Sequence, residues 1–285
     1  MVTDTEKMPL PAGPDVAIIR PRSDWLSLDV PLLWRFRDLL FAFAWRDIKL
    51  RYRQTFLGVA WVVLQPLIGA AIFSIVFGLI AKMPTHGLPY FVISFSGLIG
   101  WTLYSTALIR ISASLTANAE LIRKIFFPRL LLPLGVVPCL LLDYVVAGAM
   151  MAILMACYHI VPTWRLMMFP VGTLVLLAQA TGVGMIAASL AVRYRDVQYV
   201  LPLFIQLMMF ISPVGYSATA VPAGIRAYYD LNPLAPPLEV VRWSLVGVGE
   251  FHAGSFLYAA IVSILMVLAG LTIFQCTERE FADVI

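Results

Sequence analysis

The chain has 285 residues, of which 61% are hydrophobic and only 13% charged, with a net charge of +4. Soluble globular domains carry about 25% charged residues, so this composition excludes an ordinary soluble enzyme or binding module and identifies a polytopic membrane protein. No nucleic-acid partner is expected of such a chain.

Residues 1–31 hold five prolines and mixed charges with no apolar stretch of signal-peptide type, which predicts a disordered cytosolic leader and no cleaved signal. Residues 32–54 form an amphipathic helix, with Arg35, Asp38, Arg46, Lys49 and Arg53 on one stripe and Leu32, Phe36, Leu39, Phe43 and Leu50 on another. Five charges at about 2.5–3.5 kcal/mol each make insertion cost on the order of 12–17 kcal/mol, so this helix is expected to lie along the inner surface. Its cations Arg46, Lys49, Arg51 and Arg53 can hold anionic lipid or dock a cytosolic partner. Asp38 and Asp47 among them favour docking, because a lipid-binding face has no need of carboxylates.

Thr55 to Ala81 is free of charge for 27 residues, about 40 Å of helix against a hydrocarbon core of about 30 Å. Further apolar runs at 88–109, 133–158, 166–192, 199–218 and 254–277 bring the predicted spans to six. Six spans place both termini on one side, and the connections then put sixteen of the 20 lysines and arginines there, leaving Lys82, Arg165, Arg226 and Arg242 outside. The positive-inside bias predicts N-in/C-in. Residues 219–250 are too short and too interrupted to span, and read as two short re-entrant helices in the outer leaflet broken by "LNPLAPP".

The chain has no GxxxxGK[ST] phosphate loop, no HExxH and no nucleophile set, so ATP hydrolysis is expected of a partner and not of this chain. His86, His159 and His252 fall in outer connections as solvated side chains. Cys139, Cys157 and Cys276 share no metal-ligand spacing, and no metal site is expected. Asp143 is the one clear carboxylate within a span. It reads as a helix-to-helix contact, with Arg110 or Arg129 as the expected partner.

Four blocks, "RDIKLRYRQTFLGVAWVVLQPL" (46–67), "NAELIRKIFFPR" (118–129), "RYRDV" (193–197) and "ISPVGYS" followed by "LNPL" (211–217 and 231–234), resemble the membrane subunit of type-2 ABC transporters that export polysaccharide. The resemblance runs from about residue 32 to the C-terminus in the family's order. It implies an all-α domain over 55–285 in the inner membrane, with residues 32–54 as its interface helix and 118–128 as its coupling helix. It further implies a homodimer, two copies of a separate ATPase subunit that binds ATP and magnesium, and a lipid-linked polysaccharide as cargo, with no cofactor on this chain. In the coupling segment Asn118, Glu120, Arg123 and Lys124 would form a polar tip, with Ile125, Phe126 and Phe127 as its apolar anchor and Pro128 as a stop.

A channel for a sugar chain needs aromatic faces that stack on pyranose rings. The available rings are Trp61, Phe73 and Phe77, then Trp101 and Tyr104, then Tyr199, Phe204, Phe210 and Tyr216. The resemblance implies that the first and fifth spans line the pore, making Trp61, Phe73, Phe77, Phe204, Phe210 and Tyr216 the channel candidates; interfacial belts and ordinary packing stand as the alternative. O-antigen is the expected cargo, with capsule or teichoic acid as the alternative. A reading of another class, an intramembrane enzyme acting on lipid-linked sugars, would need a cluster built from Arg226, Asp230, Glu239, Arg242, Glu250 and His252, which otherwise read as solvated or salt-bridged loop charges.

Overall fold

The computed structural model of the chain describes residues 30–53, 60–85, 87–217 and 221–278. The expected leader, apart from its last two residues, and Thr55, His86 and Arg279 lie outside them. Every regular element among the described residues is a helix, as lipid requires of a chain that must satisfy its backbone internally.

Two helices precede the spans, α1 (Val30–Arg35) and α2 (Arg37–Arg53). The first apolar run becomes α3 (Ala60–Phe73), which continues in wider π turns over Ser74–Ile80. Next come α4 (Tyr90–Ser112), the short α5 (Ala119–Lys124) and α6 (Leu131–Cys157). The remaining helices are α7 (Met168–Arg193), α8 (Val197–Ile211), α9 (Ala223–Asp230), α10 (Ala235–Val246) and α11 (Ala253–Glu278). Five of these, α3 with its continuation, α4, α6, α7 and α11, are long and apolar enough to cross a membrane. Helix α8 has 15 residues, about 22 Å, and is shorter than a hydrocarbon core. The six predicted spans therefore appear as five full helices and one that stops early.

Helices α4 and α7 form the centre. Most of α4 is buried, whereas α3 buries only Pro66 and Ala70. Apolar burial does not drive helices together in lipid, so close approach through small residues does that work. A Cβ at Gly184 would lie 2.7 Å from Ile111 on α4. Where α7 crosses α11, a Cβ at Gly270 would sit 2.5 Å from the Gly182 carbonyl oxygen, so the two backbones touch.

Several contacts show which helix ends lie together. The Arg129 amide donates to Glu278 Oε1 at 3.2 Å, joining the start of α6 to the end of α11. Gln198 at the start of α8 donates to Thr116 below α4 at 2.7 Å. Phe43 of α2 meets Phe127 edge to face at 5.6 Å. One end of the bundle thus gathers α2, the connection from α4 to α6, the start of α8 and the end of α11.

Because the α7–α11 crossing has no room for a side chain, Gly182→Ala is expected to destabilise the protein by about 1–3 kcal/mol, read as a lower midpoint of thermal unfolding in detergent. Gly148→Ala, whose added carbon meets nothing within 4 Å, is the control and leaves that midpoint in place.

Candidate functional site

Two constructions stand out at opposite ends of the bundle. At the first, residues 113–130 leave α4 and return as α6. A single 3-10 turn (Thr116–Asn118) leads into α5, which carries Glu120 with Lys124 at 3.4 Å and Arg123 at 3.9 Å, all exposed. Asn118 does not cap α5; its Nδ2 donates to the Ser114 carbonyl at 2.8 Å and closes the preceding turn. The expected apolar anchor also divides differently. Phe127 and Ile122 are buried, while Ile125 and Phe126 are 56% and 68% exposed; the chain becomes extended at Ile125, and the successive side chains Phe126 and Phe127 then point opposite ways. The exposed Phe126 beside Glu120, Arg123 and Lys124 gives this end a mixed polar and aromatic projection.

Helix α2 packs lengthwise on α6 rather than lying across its end. Phe43 rests on Gly135, where an added Cβ would lie 3.2 Å from its own Cβ, and eight residues further along both helices Arg51 and Tyr52 reach Asp143. The two helices therefore rise in the same direction over about 12 Å. The Arg51 guanidinium is 2.9 Å from Asp143 Oδ2, and the Tyr52 hydroxyl donates to Asp143 Oδ1. Burial and the neighbouring carboxylate push the Tyr52 phenol above its ordinary pKa, so it stays a donor. Neither expected partner is used: Arg110 points to Cys139 Sγ at 3.3 Å and Arg129 is engaged with Glu278. The climb of α2 along α6 carries Arg51 to Asp143 and leaves those two arginines lower. Of the other interface cations, Arg46 pairs with Asp47 at 3.0 Å and covers the Phe43 ring, Lys49 is exposed, and Arg53 closes α2. Arg51, Gln65, Thr102, Thr106, Asp143 and Tyr144, with apolar neighbours such as Val62 and Leu140, line a small cavity of mixed character between α2, α3, α4 and α6.

At the opposite end, α8 stops at Ile211 and the chain continues without helix through Ser217. Each carbonyl from 210 to 216 nevertheless has a partner. The Tyr216 hydroxyl donates to Phe210 at 3.1 Å and Ile211 at 3.2 Å, and the Val214 amide donates to Ser212 at 2.8 Å. Arg242 donates to Pro213, to Val214 at 3.0 Å and to Tyr216 at 2.6 Å, while the Tyr90 hydroxyl takes Gly215 at 2.7 Å. Arg242 is 0% exposed, so the expectation of a solvated outer-loop charge is corrected. Helix α10 docks on α4 and α7 and drives the guanidinium inward; Glu239, one turn before it, opposes the loss of proton affinity that burial imposes. Gly97 makes the room, since a Cβ there would lie 2.2 Å from the Val214 oxygen and 2.7 Å from the guanidinium. An isolated arginine within "LEVVRWSLVGVG" was the available signal. The other charges of this end, Arg226, Asp230, Glu239, Glu250 and His252, line a shallow cleft with Tyr229, and His252 stands 3.5 Å from Glu250.

Three of the channel candidates meet at this end. Phe77 lies 5.4 Å from Phe73, 6.4 Å from Tyr216 and 6.4 Å from Tyr90, centroid to centroid. Gly215 allows Phe73 and Phe77 to press against its backbone, with ring carbons 2.8–2.9 Å from where a Cβ would be. Trp61, Phe204 and Phe210 do not join this cluster and are exposed on α3 and α8, together with Tyr199. Trp101 and Tyr104 are buried in α4 as packing residues.

A family model described as ABC-2 type transporter matches residues 38–246, from α2 to the end of α10. The chain is 28% identical over 253 residues to the "O-antigen export system permease protein RfbA" of Myxococcus xanthus, covering 88% of this chain and 96% of that protein. It is 27% identical to a Klebsiella pneumoniae protein of the same description, over 87% and 95% of the two chains. It is also 24% identical to the "Polysialic acid transport protein KpsM" of Escherichia coli, over 82% and 91%.

Asp143→Asn removes the charge that faces Arg51 and is expected to weaken the docking of α2 by about 1.5–3 kcal/mol. Amide hydrogen exchange over residues 41–53 should rise in that variant and fall back in the charge exchange Arg51→Asp with Asp143→Arg. Unchanged exchange in Asp143→Asn would show that the carboxylate does not hold α2.

Proposed function

The chain belongs to the ABC-2 type transporter family, and from that premise we propose that it is the permease subunit of an ATP-driven exporter of polysaccharide, with O-antigen as the favoured cargo. The observation that carries this reading is the similarity to an O-antigen export permease across 88% of the chain, beside a family match that runs from α2 to the end of α10. The similarity to a polysialic acid transport protein over 82% of the chain supports capsule export as the second reading. The cargo is carried on a lipid, and the protein sits in the inner membrane with both termini in the cytosol.

In this reading the end that holds α2 and α5 faces the cytosol and a separate ATPase subunit, which binds ATP and magnesium. The projection formed by Asn118, Glu120, Arg123, Lys124 and Phe126 inserts into that subunit, with the charges setting register and the exposed Phe126 filling an apolar pocket. Closure of the motor on ATP pushes α5. The push reaches α6 through the extended link at 125–128, and reaches α2 through the Phe43–Phe127 contact. Of the interface cations, Lys49 is exposed, while Arg46 and Arg51 are engaged within the protein.

The passage itself is proposed to form between two copies of the chain. Helices α4 and α7 are packed solid, so no hydrophilic polymer passes between them, whereas α3 and α8 leave Trp61, Ile72, Phe204 and Phe210 uncovered. Stacking on Trp61, Phe204 and Phe210 would be tolerant of sugar identity, which suits a chain of many repeats.

Alanine at Glu120, Arg123 and Lys124 together should leave the protein inserted, with its thermal midpoint unchanged, and abolish polysaccharide-linked ATP turnover in the reconstituted complex. Export at the normal rate by that variant would remove the motor contact from α5. Loss of surface polysaccharide on deletion of the gene, with the polymer accumulating inside the cell, tests the transport assignment separately. Immunochemical identity of the retained polymer decides between O-antigen and capsule.

A further inference from the structure

The seven carbonyls from 210 to 216 are all engaged, and three of them depend on one side chain. A helix of about 22 Å needs roughly 8 Å more to cross a hydrocarbon core of about 30 Å. That remainder is supplied by backbone with no helical bonds of its own, which membrane depth tolerates only where the protein satisfies it. Arg242 does so from α10, and the Tyr90 hydroxyl from α4. Tyr216 is the last residue held this way, and its hydroxyl turns back to the final carbonyls of α8. The ring is thereby fixed in two directions, by its own oxygen and by the guanidinium on its carbonyl. It is set against Phe77, which with Phe73 lies on Gly215 and links the outer part of α3 to the end of α8.

We infer that Phe73, Phe77 and Tyr216 form an outer closure of the passage, and that Arg242 is the positioning residue that holds it shut in the absence of nucleotide. The inference rests on the proposal that α3 and α8 face the passage. It assigns Arg242 a role outside the cargo's path, acting only through the backbone of 213–216. Arginine is required because its planar fork serves three carbonyls at once, and a lysine ammonium cannot reproduce that arrangement. Gly97 is required because the Val214 carbonyl occupies the place of a side chain.

The test is passive leak, which involves neither cargo nor motor. The chain is reconstituted into liposomes loaded with a small self-quenching anionic dye, without nucleotide. The wild type is expected to retain the dye. Tyr216→Ala removes the ring but leaves the carbonyl that Arg242 holds, and it should leak. Arg242→Lys should leak at least about tenfold faster than wild type, the shift in open population expected from losing one charge-assisted hydrogen bond. The double variant should leak no faster than Tyr216→Ala alone, because the two act on one element. Gly97→Ala displaces the Val214 carbonyl and crowds the guanidinium that holds it, and so gives the same reading if Arg242→Lys does not insert. Retention of dye by Tyr216→Ala would overturn the closure. Retention by inserted Arg242→Lys or Gly97→Ala, or additive leak in the double variant, would overturn the positioning role. Failure of the cargo assignment is read independently, in export by the wild type, and leaves these outcomes unchanged.

Discussion

The architecture depends on how the backbone is satisfied where α8 ends. In water an interrupted helix hands its last carbonyls to solvent, but at membrane depth each orphan costs several kcal/mol. This chain meets that constraint with side chains from two other helices, and the positions of those helices follow. Helix α10 must lie close enough to α4 for Arg242 to reach over Gly97, and α4 must present Tyr90 to Gly215. Helix α10 is therefore not decoration: it supplies the donors for the irregular backbone that follows α8, and its arginine is buried because its acceptors are.

The charge at the other end is handled by a different route. Asp143 and Arg51 neutralise each other directly, and Tyr52 occupies the second carboxylate oxygen. A buried ion pair contributes little net stability compared with apolar residues of the same shape, but removing one partner is severe because it strands the other. Such a pair specifies more than it stabilises. Together with the Phe43 contact lower down, it fixes α2 to α6 at two points, so α2 cannot pivot about either. A helix fixed at one point would absorb a push by turning; one fixed at two passes it on.

Much of the fold was legible because its signal is local. Uncharged runs of membrane length placed five of the six predicted spans within a few residues, the run at 199–218 overran α8 by seven, and "LNPLAPP" placed the break between α9 and α10. What was not legible depended on partners far away along the chain. Asp143 lies 91 residues from Tyr52 and nearer in sequence to Arg110 and Arg129, so proximity favoured the wrong cations. The amphipathic pattern of α2 showed which residues share a stripe and said nothing about whether the helix lies across α6 or along it. Arg242 was harder still, since its acceptors are backbone carbonyls, which have no residue type to recognise. In "NAELIRKIFFPR" composition located the projection, but the switch from helix to extended chain at Ile125 decided that Phe127, and not Phe126, packs inward.

The distribution of burial bears on where a polymer could pass. A hydrated sugar chain needs a path wider than any gap between packed helices, and α4 and α7 are joined by glycine contacts that leave none. Uncovered apolar faces lie on α3, α6, α8 and α11, and those of α3 and α8 flank the ring cluster from both sides. A second copy placed against α3 and α8 would enclose Trp61, Phe204 and Phe210 in a shared passage and bring two ring clusters together at its outer mouth. In that arrangement the early end of α8 would turn Tyr216 across the end of the passage, where an unbroken helix would run alongside it.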